Sequence, residues 1–277
     1  MDKTLPPGLH IVATPIGNLG DLSPRAAQTL GNASRILAED TRVTAKLLAH
    51  IGAKVPMSRY DDHSSEIERE RIVAQLGEQA IALVTDAGTP LISDPGYKLV
   101  RAARAAGHEV HTVPGPSAAI AALTLAGLPT DRFLFLGFLP AKAKARQDAI
   151  AEISAIRATL VIYESGPRLG DTLAALGQQL GSRSAAVIRE ISKLHEECVT
   201  GTLEELAVRY SNTAPKGEIV IVVGPPGEAA PAGDDELDAA LDEALSRLSP
   251  SRAAAEVAEK LGVPRKRAYA RALERTQ

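Results

Sequence analysis

Apolar runs of four to seven residues, each ended by Gly, Pro or Asp, alternate along the chain with longer stretches whose apolar positions recur at helical spacing. The runs predict strands at LHIVAT (9–14), RILAE (35–39), IALVTD (81–86), EVHTV (109–113), RFLFLGF (132–138), TLVIYE (159–164), AAVIRE (185–190) and EIVIVVG (218–224). The stretches between them predict helices over roughly 24–31, 42–50, 65–77, 96–106, 117–126, 142–155, 167–180 and 203–210. Two helix starts are written out: Ser23 before Pro24 is an N-cap ahead of a first-turn proline, and Thr202 with Glu205 has capping-box spacing. Strands alternating with helices specify an α/β protein with mainly parallel sheets, a class that binds ligands beyond the carboxyl ends of its strands.

The pattern breaks twice. Pro114, Pro116, Gly127 and Pro129 punctuate the middle of the chain and predict an N-terminal α/β domain over 1–116 and a second over 117–227. A Pro-, Gly- and acid-rich linker follows at 228–236, and then a small helical extension over 237–277. There an Ala-rich helix, a turn at LGVP and a second helix opening on Arg265, Lys266 and Arg267 give helix-turn-helix spacing. From Ser251 to Gln277 seven Lys or Arg face three Glu, so this tail is basic although the linker is acidic. No internal repeat is evident.

Composition narrows the class. A length of 277 residues with 45% hydrophobic content supports two cored domains and excludes a disordered chain. The formal charge of −3 provides no global attraction to nucleic acid or membrane, so charge has to be read by segment. Cys198 is the one cysteine, which excludes an internal disulfide and a C-x-x-C motif. It sits in strand-like EECVTG without a basic cluster to activate it and reads as structural. The first residues lack the apolar core of a signal peptide, and AAIAALTLAGL is too short to span a bilayer, so a soluble, cytoplasmic protein is expected.

The candidate chemistry lies in three strand-to-helix loops. In TDAGTPLISDPG, Gly88 and Gly96 permit backbone angles closed to other residues, Pro90 and Pro95 stiffen the path, and Asp86 and Asp94 accept hydrogen bonds from hydroxyl or ammonium groups. A plain turn with an Asx cap would use the same residue types. ATPIGNLGDLS follows the first strand, and VPGPSA follows the EVHTV strand with Ser117 placed to cap a helix or touch a ligand. Neither G-x-G-x-x-G nor a P-loop occurs, which disfavours the usual dinucleotide and nucleoside triphosphate sites. Three such loops in one sheet converge on one crevice.

Taken in order, ATPIGNLGDLS, AEDTR, TDAGTPLISDPG, VPGPSA, GFLP, YESGPR and KGEIVIVV resemble the bacterial 16S ribosomal RNA cytidine 2′-O-methyltransferases of the tetrapyrrole methylase superfamily, over about residues 9–224. The basic tail is similar to the helix-turn-helix extension of that family. The resemblance implies a two-domain α/β fold with S-adenosylmethionine in the interdomain cleft, a homodimer, no metal, and as substrate the 16S ribosomal RNA or small ribosomal subunit. By the same resemblance the target is cytidine 1402 of the decoding region. Carried onto the matching motifs, the cofactor contacts are Pro15; Asp86, Ala87 and Gly88; Ile92, Ser93 and Asp94; Ser117 and Ala118; Tyr163 and Glu164; and Lys216, Gly217 and Glu218.

Methylation of a ribose hydroxyl benefits from a general base. Candidates are Glu39, Asp40 and Arg42 in AEDTR and Asp61, Asp62 and His63 in RYDDHS, with Asp40 or His63 as base and Arg42 as phosphate holder. The alternative is an Asp40–Arg42 ion pair that fixes the loop and an ordinary turn histidine. Family members often carry YHEHN where this chain has YDDHS, so one histidine is absent. Glu190 and Lys193 either face the same cleft or end a solvated strand. Lys142, Lys144 and Arg146, and in the tail Arg265, Lys266, Arg267 and Arg271, are the expected RNA contacts. Competing functions are methylation of a tetrapyrrole or other small molecule, against which ATPIGNLGD stands where GAGPGDP-like loops are typical, and a DNA-binding regulator without turnover.

Overall fold

The computed structural model describes residues 5–61, 63–227 and 233–276; Asp62 and residues 228–232 of the expected linker lie outside them. The chain divides between Gly224 and Pro225 into two compact units.

The first unit contains two five-stranded sheets. Strands β1 (Gly8–Val12), β2 (Arg35–Ala38), β3 (Met57–Arg59), β4 (Ala80–Val84) and β5 (Val110–Val113) form an all-parallel sheet in the order β3-β2-β4-β1-β5. Every residue of β1 and β4 is buried, as the unbroken apolar runs require of strands covered on both faces. Helices α1 (Pro24–Asn32), α2 (Thr41–His50), α3 (Glu66–Gln75) and α4 (Tyr97–Ala105) supply the crossovers. Ser23 caps α1 through Ala26 N–H at 3.1 Å, with Pro24 in the first turn as the sequence indicates.

The second sheet runs β6-β7-β10-β8-β9 and is built from Phe133–Phe138, Thr159–Ser165, Glu218–Val223, Ser184–Arg189 and Glu197–Thr202 respectively. Only β6 and β7 are parallel here; β7–β10, β10–β8 and β8–β9 are antiparallel, which corrects the expectation of mainly parallel sheets. Helix α5 (Ala118–Ala126) packs Ala119, Ala122, Leu123 and Ala126 on one face with Val161, Ile188 and Val220. Helices α6 (Ala143–Ile153), α7 (Leu169–Leu180) and α8 (Leu203–Tyr210) cover the other with Ile150, Leu173, Leu176 and Leu206. The Thr202–Glu205 capping box opens α8 in both directions, at 2.8 and 3.2 Å.

The second unit is a three-helix bundle of α9 (Asp234–Leu245), α10 (Pro250–Leu261) and α11 (Arg265–Glu274), around Leu237, Leu241, Ala254, Val257, Ala268 and Ala272. Residues 234–236, expected as linker, are the first turn of α9. Its acids have a structural use: Asp234, Asp238 and Asp242, spaced by four, face Arg267, Arg271 and Arg275 of α11, also spaced by four. Arg267 meets Asp234 at 2.8 Å and Arg271 meets Asp238 at 2.7 and 2.9 Å. Among the described residues no helix is long and apolar enough to cross a membrane.

Candidate active site

The three loops beyond β1, β4 and β5 are stitched together by hydrogen bonds. Thr14 and Gly88 exchange main-chain bonds at 2.8 and 3.1 Å, and the Thr14 hydroxyl donates to the Thr85 carbonyl at 3.2 Å. The Thr89 hydroxyl donates to the Pro116 carbonyl at 3.0 Å. Gly88 (φ 85°) and Gly96 (φ 129°) take the angles expected of them, whereas Leu91 (φ 76°) and Ser93 (φ 64°) hold left-handed backbone without being glycine. Such strain persists only where its surroundings enforce it, and it concentrates at functional sites. Here it lies in the loop that lines the cavity.

That cavity, about 390 Å³, is bounded by the loop after β4, by Ser117 and Ala118 at the start of α5, and by β7 and β10. Asp86, Ala87, Gly88, Ile92, Ser93, Asp94, Ser117, Ala118, Tyr163, Glu164, Gly217 and Glu218 line it, where the cofactor contacts were placed. Pro15 and Lys216 do not; their neighbours Ile16 and Gly217 do. The sequence reading missed Thr89, Phe138, Ser165, Ile191, Ile219 and Val220, apolar or small residues whose signal is only their position at strand ends beside the named motifs.

Glu164 is buried and fully engaged. Its carboxylate accepts from the Thr172 hydroxyl (2.7 Å) and Ser165 N–H (2.8 Å), and Arg168 Nε stands 3.3 Å away. It braces β7 against α7 and leaves ligand contact to other groups. Glu39, Asp86 and Asp94 add further carboxylates to the cavity wall. Burial, with the charge of Glu39, pushes the Asp94 carboxyl up to about 6, against the Thr85 hydroxyl beside it; Asp86 adds to the rise. A cavity that gathers carboxylates and penalises their charge is set for a cationic ligand.

The expected catalytic residues lie elsewhere. Asp40 caps α2 through Arg42 N–H at 2.8 Å and pairs with the Arg42 guanidinium at 2.7 Å, while its own N–H donates to Asp86. The Arg42 hydrogen bonds hold the Asp40 carboxyl down at about 2, which makes it a poor proton acceptor. His63 is an exposed turn residue whose N–H donates to Asp61. None of Asp40, Arg42 and His63 lines the cavity; the neighbouring Glu39 does.

Glu190 and Lys193 stand outside the cavity lining and join it through Glu218. Lys193 Nζ bonds Glu190 (2.8 Å) and Glu218 (2.6 Å), and the Ser192 hydroxyl bonds Asp21 of the first loop, so the β8–β9 turn is tied to that loop. The expected RNA cations divide. Lys142 is exposed at the N-cap of α6 and Lys144 is exposed and paired with Asp148 at 2.7 Å, whereas Arg146 is 7% exposed and donates to the Ala141 carbonyl. Arg267 and Arg271 are taken up by the α9 acids, while Arg265 and Lys266 are exposed on the first turn of α11. Cys198 is exposed on β9, with burial of its thiol pushing the pKa up. Among the described residues no group of His, Cys, Asp or Glu is placed to hold a metal ion.

The profile of the family described as Tetrapyrrole (Corrin/Porphyrin) Methylases matches residues 8–207, and that of the RsmI C-terminal HTH domain matches 231–276. The chain is 55% identical over 272 residues to the Ribosomal RNA small subunit methyltransferase I of Erythrobacter litoralis, covering 98% of this chain and 96% of that one. It is 48% identical over 268 residues to the protein of the same name in Xylella fastidiosa, covering 95% and 98%. Among solved structures, a uroporphyrin-III C-methyl transferase from Thermus thermophilus complexed with S-adenyl homocysteine matches 78% of this chain and 96% of its own at a TM-score of 0.53 and 21% identity, which establishes a shared fold. Fold, family profile and sequence identity along nearly the whole chain agree, and the chain belongs to the ribosomal RNA small subunit methyltransferase I family of tetrapyrrole methylases.

Proposed function

We infer that the cavity holds S-adenosylmethionine and that the chain methylates the 2′-hydroxyl of a cytidine in 16S ribosomal RNA. The observation that carries this reading is a cavity of about 390 Å³ pairing Glu39, Asp86 and Asp94 with an apolar floor of Ile92, Phe138, Ile191, Ile219 and Val220. That combination fits a ligand with a planar aromatic face and a cationic centre. The bound cofactor supplies an electrophilic methyl group. Asp86 and Asp94 hold the cationic end, with Ile92 and Ser93 of the strained loop and Ser117 and Ala118 beside them. Glu39 is the carboxylate best placed to take the ribose proton, in place of Asp40 and His63. The interdigitated loops exclude water and fix the approach, which is most of what an in-line displacement asks of a protein.

An RNA substrate is supported by the names of relatives aligned over nearly the whole chain and by Arg265 and Lys266. Cations on a first helical turn oppose the helix dipole, and a phosphate partner relieves that conflict. In this reading 1–116 and 117–227 act as two domains about the cavity, the working form is a homodimer, and the substrate places the work in the cytoplasm.

Cofactor affinity tests the site through pH. Asp94 has to be ionised to pair with a cation, and with its carboxyl at about 6 the proton competes as pH falls. Calorimetry of S-adenosylmethionine binding should give a constant Kd above pH ~7 and an approximately tenfold weakening per unit below ~6. Asp94→Asn should remove that dependence. A Kd unchanged from pH 8 to 5 in the wild-type protein would contradict a role for Asp94 in holding a cation.

A further inference from the structure

Next to the cofactor cavity is a second, open pocket of about 410 Å³, lined by Arg189, Glu197, Arg209, Tyr210, Thr213, Pro215 and Lys216. Three cations face one carboxylate, and that carboxylate is already engaged: Arg189 Nε donates to Glu197 at 3.1 Å. The Arg189 guanidinium also donates to the Lys216 carbonyl at 3.3 Å, so it is fixed from both sides. Arg209 lies 5.8 Å from the centre of the Tyr210 ring and, like Lys216, is exposed. The floor is rigid. Pro215 presses its carbonyl onto Gly166, where an added Cβ would stand 1.7 Å from that oxygen.

Position matters as much as charge. Lys216 lines this pocket while Gly217 and Glu218 line the cofactor cavity, and two residues of extended chain span about 7 Å at most. On the opposite side, Arg189 pairs in register with Ile219, another cavity residue. Excess positive charge, one immobilised guanidinium and an open mouth one step from the proposed site of methyl transfer describe a receptor for an anion attached to the substrate. The neighbouring cavity, in contrast, is acidic, so one polyanionic strand meets attraction beside the site and repulsion within it.

We propose that Arg189, Arg209 and Lys216 bind a backbone phosphate of the RNA, next to the nucleotide being methylated. The assignment rests on the RNA-methyltransferase reading above. It also accounts for the lysine of KGEIVIVV, which belongs to the substrate side of the segment whose glycine and glutamate face the cofactor.

The test uses the full chain, S-adenosylmethionine and small ribosomal subunits lacking the modification. Arg209→Ala and the double variant R209A/K216A are compared with wild type, and Arg209 is exposed at the end of α8, so its removal leaves the fold in place. Arg209→Ala should raise KM for subunits about tenfold with kcat nearly unchanged, as expected for loss of a charged contact made equally before and during the reaction. Its S-adenosylmethionine Kd should match wild type. The slope of log affinity against log salt should fall by about one for the single variant and about two for the double. Wild-type KM and salt slope in both variants, with methyl transfer intact, would overturn the phosphate site alone. Wild-type protein that binds S-adenosylmethionine but methylates no subunit would overturn the RNA reading and this assignment with it.

Discussion

Asp86→Asn combined with Asp94→Asn should weaken S-adenosylmethionine binding by about 100-fold or more, since each removes a charge-assisted contact of about 1.5–3 kcal/mol. Both side chains line the cavity, and the charge of Asp86 adds to the upward shift of the Asp94 carboxyl. The free variant should therefore melt at the wild-type temperature or above it, because like-charge repulsion in the empty cavity is relieved. Calorimetry and thermal melting on the same sample separate the outcomes. Weak binding with an undiminished melting temperature marks ligand-holding carboxylates, and weak binding with a large drop in melting temperature marks structural ones. Asp40→Asn is the control. The side chain keeps the α2 cap and does not line the cavity, so transfer should fall far less than the roughly 10²–10⁴-fold associated with a lost general base.

Gly166→Ala should be among the most damaging single substitutions in the chain. Its Cβ would meet the Pro215 carbonyl carbon at 2.9 Å and the oxygen closer still, and both are main-chain atoms that no rotamer change can move. Relief requires the 211–217 segment to lift away, and that segment carries Lys216 and Gly217 towards both pockets. A loss of about 4 kcal/mol or more is expected, or about 10 °C in melting temperature for a unit of this size. Cofactor binding should weaken in parallel. A variant with wild-type melting and binding would show that the loop is not seated on Gly166.

The sequence made the first sheet largely readable because β1 and β4 are continuous apolar runs covered on both faces, and a run of that kind has few other uses. Strand β3 escaped because Met57, Ser58 and Arg59 are only three residues on a sheet edge, with no apolar period to see. The direction of the second sheet's strands was hidden for a different reason. Whether β10 enters beside β7 up or down depends on where the long connections cross, which is a tertiary choice absent from local pattern.

The site shows the same division. Motif order located the loops, but not which side chains face inward. Glu39 and Asp40 are consecutive at the end of β2, and extended chain sends successive side chains to opposite faces, so one step decides between the cavity and the α2 cap. Glu164, carried over with its motif, and Arg146, named for its charge, turned out to be buried and paired, since long-range partners such as Thr172 have no local signature. The α9–α11 ladder, in contrast, was legible: acids at 234, 238 and 242 and arginines at 267, 271 and 275 repeat at helical spacing, and matching the two series would have assigned Arg267 and Arg271 to the α9 acids before RNA.

The most direct measurement incubates the protein with methyl-labelled S-adenosylmethionine and small ribosomal subunits lacking the modification, then digests the RNA to nucleosides for mass spectrometry. Label in 2′-O-methylcytidine alone is the expected result. Label on a base or on another nucleoside, or no label although the cofactor binds, would contradict ribose methylation of cytidine by this site.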